Sequence, residues 1–159
     1  MASIDDITAD IVEDFEVFDN WMDKYEFIID MSKSLAPMPA EKKQDINLIK
    51  GCQSQVWLDV QLDDKGLMQC HADADAIITK GMIALLLKPV QGQKPADVAA
   101  CTYDFLTTIG LSQHLSPTRA NGLLSMVKQI RMYGIAMQAT SLPWKTNKCK
   151  ALVIKPLMS

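Results

Sequence analysis

Residues 55–71 read QVWLDVQLDDKGLMQCH, and the fold turns on them. Val56, Leu58, Val60 and Leu62 recur at every second position, the period of a strand with one face turned to a core. Asp63-Asp64-Lys65-Gly66 is a turn signal and Leu67 to His71 supplies a returning strand, so the stretch predicts an antiparallel hairpin. Upstream, residues 45–50 predict a further strand. Downstream, Ala74 to Lys88 is almost continuously apolar, which predicts a largely buried helix stopped by Pro89.

Further from the hairpin the period becomes helical. Ile7, Ile11, Phe15 and Phe18 mark a helix over 5–18. Asn20 is placed to cap a second helix, carrying Trp21, Tyr25, Ile28 and Ile29 inward and ended by Pro37 and Pro39. A short helix starts at Pro95, and the chain is irregular over 107–119. Ser116 then serves as N-cap and Pro117 as first residue of a helix bearing Leu123, Met126, Ile130, Tyr133 and Met137. Helices, a hairpin, then helices predict an α+β domain over 1–140, its helices packed on one small antiparallel sheet. Residues 141–159 form a C-terminal extension without a legible role.

The 159 residues suffice for one domain with a real core. The N-terminal stretch lacks a basic segment leading into an apolar run, and the apolar run from Met82 to Leu87 is far too short for a membrane span. The expectation is a cytoplasmic protein with no membrane association, whose four cysteines are thiols. No pair of them has CxxC spacing. The net charge of −3 hides an asymmetry, because residues 1–30 hold ten acidic side chains against Lys24 alone. The last 21 residues hold Lys145, Lys148, Lys150 and Lys155 and no acid. These regions are suited to attract each other or a charged protein, or are simply solvated. An acidic chain without interleaved basic and aromatic residues argues against nucleic acid.

Immediately before the hairpin lies IKGCQSQVW, residues 49–57. Buried structural cysteines sit in apolar runs, whereas Cys52 follows Gly51 and precedes Gln53, Ser54 and Gln55, a composition that suggests a mobile, watered turn. Lys50 and loop N–H groups would favour the thiolate, the form that attacks. These residues alone leave a reactive thiol and an inert loop cysteine equally open. Hydrolytic chemistry would need a base near the sulfur, and His71 and His114 are the only histidines. Exchange with a sulfur electrophile needs only a thiolate, access and in-line approach.

The segment NLIKGCQSQVWL (47–58) resembles the active-cysteine segment of the SufE family, and the likeness continues through DADAIITKGMIALLL (73–87) and LSQHLSPTRANGL (111–123). The resemblance covers roughly residues 8–138 and implies the fold shared by SufE and IscU proteins. It implies that Cys52 takes the outer sulfur of a persulfide from a SufS-like cysteine desulfurase, stimulates that enzyme, and passes the sulfur to a SufBCD-like scaffold. The chain would then be a partner and activator rather than a stand-alone enzyme, a monomer or weak dimer. The pyridoxal phosphate would belong to the desulfurase, so no cofactor and no metal is expected on this chain. A CsdE-like branch, delivering sulfur to another acceptor such as a tRNA-modification pathway, fits the same motifs.

Other residues carry rival readings. Gly51, Gln53 and Ser54 would support the cysteine loop. Arg119 and His114 lie in the matched segment as partner or thiolate contacts, or simply bond backbone groups and acidic neighbours. Asp73 and Asp75 either contact a partner or cap the helix that follows them. Trp57 is read as core. Cys52, Cys70, His71 and Cys101 would imitate an IscU-like metal or cluster set, although adjacent strand residues Cys70 and His71 point to opposite faces. Cys149, between Lys148 and Lys150, would be activated if exposed and would offer a second relay.

Overall fold

The computed structural model describes residues 2–138. The extension, its lysines and Cys149 lie outside the described residues.

The hairpin forms with strand β1 over Val56–Leu62 and β2 over Met68–Ala74, a two-stranded antiparallel sheet. Register runs from Val56 opposite Ala74 to Leu62 opposite Met68. Pleating therefore turns Val56, Leu58, Val60, Cys70 and Ala72 to the core, where all are buried. Gly66 turns the hairpin with φ +76°, and the Asp63 carboxylate accepts from the N–H groups of Lys65 and Leu67, both at 2.9 Å. The returning strand is longer than expected, because Ala74 pairs with Val56 instead of opening the next helix. Residues 45–50 are not a third strand. Asp45–Asn47 is a turn of 3-10 helix, and only an isolated bridge joins Leu48 to Trp57.

Helix α1 spans Ile4–Glu16, closed by a Ser3–Asp6 capping box, and α2 spans Trp21–Met31, where Asn20 Oδ1 accepts from the Asp23 N–H at 2.9 Å. The second helix stops at Met31, followed by a 3-10 turn over Ser32–Ser34, so Pro37 and Pro39 follow its end without causing it. Helix α3 spans Ile77–Leu87 and is nearly all buried, as its apolar run predicts. Gly81 makes its close approach to α2 possible, since a Cβ there would lie 2.8 Å from the Ile28 carbonyl carbon.

Helix α4 spans Pro95–Ala100, and the segment expected to be irregular holds α5 over Phe105–Thr108 and a 3-10 turn over Ser112–His114. Helix α6, Pro117–Gln138, crosses the molecule. Its Tyr133 hydroxyl donates to the Leu58 carbonyl at 3.5 Å inside the core, while Gly134 lets it close on α4 beside Pro95 and Ala99. The core face of the sheet thus packs against α3 and α6, and the N-terminal third of α6 passes the chain that leads into β1. No helix among the described residues is long and apolar enough to cross a membrane.

Candidate functional site

The loop carrying Cys52 is pinned at its base. The Ile49 N–H donates to the Val56 carbonyl at 2.8 Å. The hairpin register is then extended by one pair. The Gln55 N–H donates to Asp75 Oδ1 at 3.1 Å, and the Asp75 N–H donates to the Gln55 carbonyl at 3.1 Å. Asp75 thus fastens the end of the loop to β2. Neither it nor Asp73 caps α3, whose N-cap position is Ala76 with no side-chain bond.

Between these ties the loop folds onto α6. Gly51 has φ +93°, a conformation that side-chain-bearing residues rarely adopt, and a Cβ there would overlap Ser125 Oγ and lie 3.3 Å from Ser125 Cβ. Gln53 and Gln55 are exposed, but Cys52 turns inward and is half-buried. Its thiol donates to the Gly122 carbonyl at 3.5 Å. The absence of a side chain at Gly122 brings the helix this near, with Cys52 Sγ only 3.6 Å from where a Cβ on that glycine would be.

The sulfur opens onto a cavity of about 100 Å³ between the loop and the first turns of α3 and α6. Gln53, Ser54 and Arg119 line it with Cys52, joined by Ile78, Thr79, Met82 and Met126. The Thr79 hydroxyl donates to Ser54 Oγ at 3.4 Å. Arg119 is the one charged side chain in the lining, and no second cysteine, histidine or carboxylate among the described residues borders it. Burial pushes the Cys52 thiol above its ordinary value, with no offsetting contribution from Lys50. In this position the cysteine is a sheltered neutral thiol.

The other expected residues lie elsewhere. Asp73 is buried between Lys43 Nζ at 3.3 Å and Lys80 Nζ at 3.4 Å, and accepts from the Ala74 and Met38 N–H groups. His114 stacks on Trp21 with ring centroids 3.9 Å apart, and its Nδ1 lies 2.9 Å from the Gly110 carbonyl. Tyr25 donates to its backbone carbonyl. Both residues have structural employment apart from the cavity lining. Trp57 is half-buried rather than core, with Lys43 Nζ 5.2 Å over its ring. The four residues of the metal reading are not gathered, and no three His, Cys, Asp or Glu side chains among the described residues could hold an ion. Cys70 faces the core with its thiol pushed up to about 12 by burial, while His71 is exposed on the other face of the strand. Gly122, Thr79, Met82 and Met126 were not read as site residues from the sequence, where Met82 and Met126 entered only as apolar helix positions. Of these only Gly122 gave a signal, as a glycine inside a helix.

The SufE domain, the Fe–S metabolism associated domain, matches residues 9–134. The chain belongs to the SufE family. An uncharacterised SufE-like protein of Rhizobium etli is 37% identical over 135 residues, covering 82% of this chain and 88% of that protein. One of Rhizobium meliloti is 34% identical, over 82% and 94% respectively. The chloroplastic/mitochondrial SufE-like protein 1 of Arabidopsis thaliana is 35% identical over 81% of this chain, which spans 35% of that longer protein. In fold, the SufE chain matches the solution structure of a hypothetical protein from Thermus thermophilus, with a TM-score of 0.69 over 84% of this chain and 96% of that one, at 16% identity. SufE membership places the chain in sulfur transfer for iron–sulfur metabolism, and the α+β fold is the family's.

Proposed function

We propose that Cys52 is a persulfide carrier. A cysteine desulfurase presents a persulfide, the Cys52 thiolate attacks its outer sulfur in line, and the enzyme's thiolate leaves. One S–S bond forms as another breaks, so no external oxidant or reductant is required, and the product is Cys52–S–SH. The observation that carries this reading is the cavity: one thiol faces about 100 Å³ of space with no second thiol to discharge it and no histidine or carboxylate to act as a base among the described residues. That volume is about three waters' worth at roughly 30 Å³ each, enough for one further sulfur.

The resting geometry is unreactive by construction, because the thiol is half-buried, protonated and bonded to the Gly122 carbonyl. Attack therefore requires the loop to leave α6. Gly51, already at positive φ, is the residue able to absorb that change of backbone direction. Arg119, exposed at the rim and free of ion pairs among the described residues, offers a positive charge to the thiolate or the returning persulfide. Once loaded, the loop shelters its cargo from stray thiols and oxidants. A SufBCD-like scaffold receives the sulfur next, and the desulfurase is stimulated because its own cysteine has been cleared. Pyridoxal phosphate acts on the partner in this scheme.

The test is Cys52→Ser offered to a cysteine desulfurase with sulfur-labelled cysteine. The variant should take up no label and give no stimulation. Undiminished uptake and stimulation would remove Cys52 from the role.

A further inference from the structure

A groove of about 530 Å³ lies at the other end of α3 from the sulfur cavity and shares none of its lining residues. Met31 and Leu35 form one wall, Ala84 and Leu87 of α3 another, and Ala72 of β2 joins them. Met31 and Leu35 are only half-buried, so their apolar side chains face water that they cannot hydrogen-bond. Covering such walls is favourable, because apolar surface is removed from water. No carboxylate among the described residues lines the groove.

The chain itself carries a segment of matching chemistry. Residues 139–159 follow α6, and the run Ala151-Leu152-Val153-Ile154-Lys155-Pro156-Leu157-Met158 is apolar except for Lys155. The end of α6 lies close enough to deliver it. A Cβ on Gly134 would lie 2.9 Å from the Pro95 carbonyl oxygen, and Pro95 is four residues beyond Gln91, which borders the groove. Four residues of chain span at most about 14 Å, and α6 runs about 6 Å from Gly134 to Gln138, so Gln138 lies within roughly 25 Å of the groove. Residues 139–150 reach roughly 40 Å when extended. Their charge suits the ground between. They hold Lys145, Lys148 and Lys150 and no acid, while Gln93 and α4 border a cleft with Asp5, Asp97 and Asp104, which form no ion pair among the described residues.

We propose that the groove is the seat of the chain's own residues 151–158. Covalent attachment gives that segment a local concentration on the order of millimolar, an advantage over a second copy or a free partner. Once seated, it clamps the turn after α2, β2 and the end of α3 together. The sulfur cavity meets α3 at Ile78, Thr79 and Met82, toward its start, so the segment stays seated while the Cys52 loop leaves α6.

The test uses the full-length, isotopically labelled chain with Cys52→Ser, so that a nitroxide tag goes to Cys149 rather than to buried Cys70 or Cys101. The tag should broaden the backbone amide signals of Leu35, His71 and Lys88 at the groove and leave those of Thr118 and Arg119 at the sulfur cavity sharp. Leu152→Asp with Ile154→Asp, both outside the described domain, should abolish that broadening and shift the groove signals. Leu35→Gln should weaken it from the other side. Broadening that passes from a tagged chain to an untagged labelled one would assign the groove to a second copy and overturn the proposal. Groove signals indifferent to the tag and to the paired substitution would also overturn it, leaving the walls to a separate partner or ligand. Cys52 is absent from the protein tested, so failure here and failure of the sulfur-carrier reading are separable.

Discussion

Replacing Gly51 by alanine tests the geometry that keeps Cys52 sheltered. At φ +93° a left-handed backbone costs an L-residue about 1–2 kcal/mol. The new methyl would also overlap Ser125 Oγ, which forces that side chain away from its rotamer at ~0.5–1.5 kcal/mol. Together these come to roughly 1.5–3.5 kcal/mol, or a Tm lower by about 3–14 °C for a chain of this size. The protein has one escape, which is to peel the loop off α6. That would limit the thermal loss but break the Cys52–Gly122 contact, so alkylation of Cys52 should then accelerate several-fold. Adding Ser125→Ala removes the hydroxyl but leaves a Cβ 3.3 Å away, so the double variant should recover only the rotamer share. Thermal unfolding and thiol-modification rates, measured on the same samples, read both outcomes. An alanine variant with unchanged Tm and unchanged alkylation would refute the pinned-loop geometry.

Gly81→Ala should be far more damaging, because its methyl meets the Ile28 backbone, which has no rotamer to change; loss of about 3 kcal/mol or more, or failure to fold, is expected in denaturant titrations. Asp73 is held below the ordinary carboxylate range: burial opposes its charge, but the Ala74 and Met38 N–H groups with Lys43 and Lys80 outweigh it. Its stabilisation is therefore fully present above the unfolded aspartate value of about 3.9 and is lost as pH falls through the lower folded value. Asp73→Asn should cost about 1–3 kcal/mol near neutrality, and its denaturant midpoint should then vary less than wild type's between about pH 6 and pH 3. For the thiols, burial raises Cys52, so its alkylation rate should still be climbing at pH 9.0, its ordinary value. Cys70, pushed up to about 12, should resist modification until the protein unfolds; peptide mapping of partly alkylated protein checks both.

Much of the architecture is legible where local chemistry acts alone. Asn20 and Ser116-Pro117 mark helix starts because a cap satisfies its own neighbours' N–H groups. The alternation from Val56 to Leu62 marks a strand because the pleat has period two. The misreadings arise where tertiary pairing decides. Ala74 favours a helix by composition, but Val56 lies opposite and claims it for the sheet. Residues 45–50 have strand-like character but meet only one bridging partner. Asp75 reads as a helix cap until the register puts Gln55 across from it. At the site, Cys52 and Gly51 stand out in the sequence because their surroundings are unlike those of a buried cysteine. The thiol's shelter does not, since it depends on Gly122, seventy positions away. Glycines inside helices at 81, 122 and 134 were the available clue, each marking a close approach.

The central claim is that sulfur ends on one atom, Cys52 Sγ. The direct measurement is mass spectrometry of peptides from the intact protein after brief exposure to a cysteine desulfurase and cysteine, with persulfides trapped by alkylation. One additional sulfur is expected on the Cys52 peptide, removable by reductant, with Cys70 and Cys101 unmodified. Added sulfur on another cysteine with Cys52 unchanged would contradict the claim.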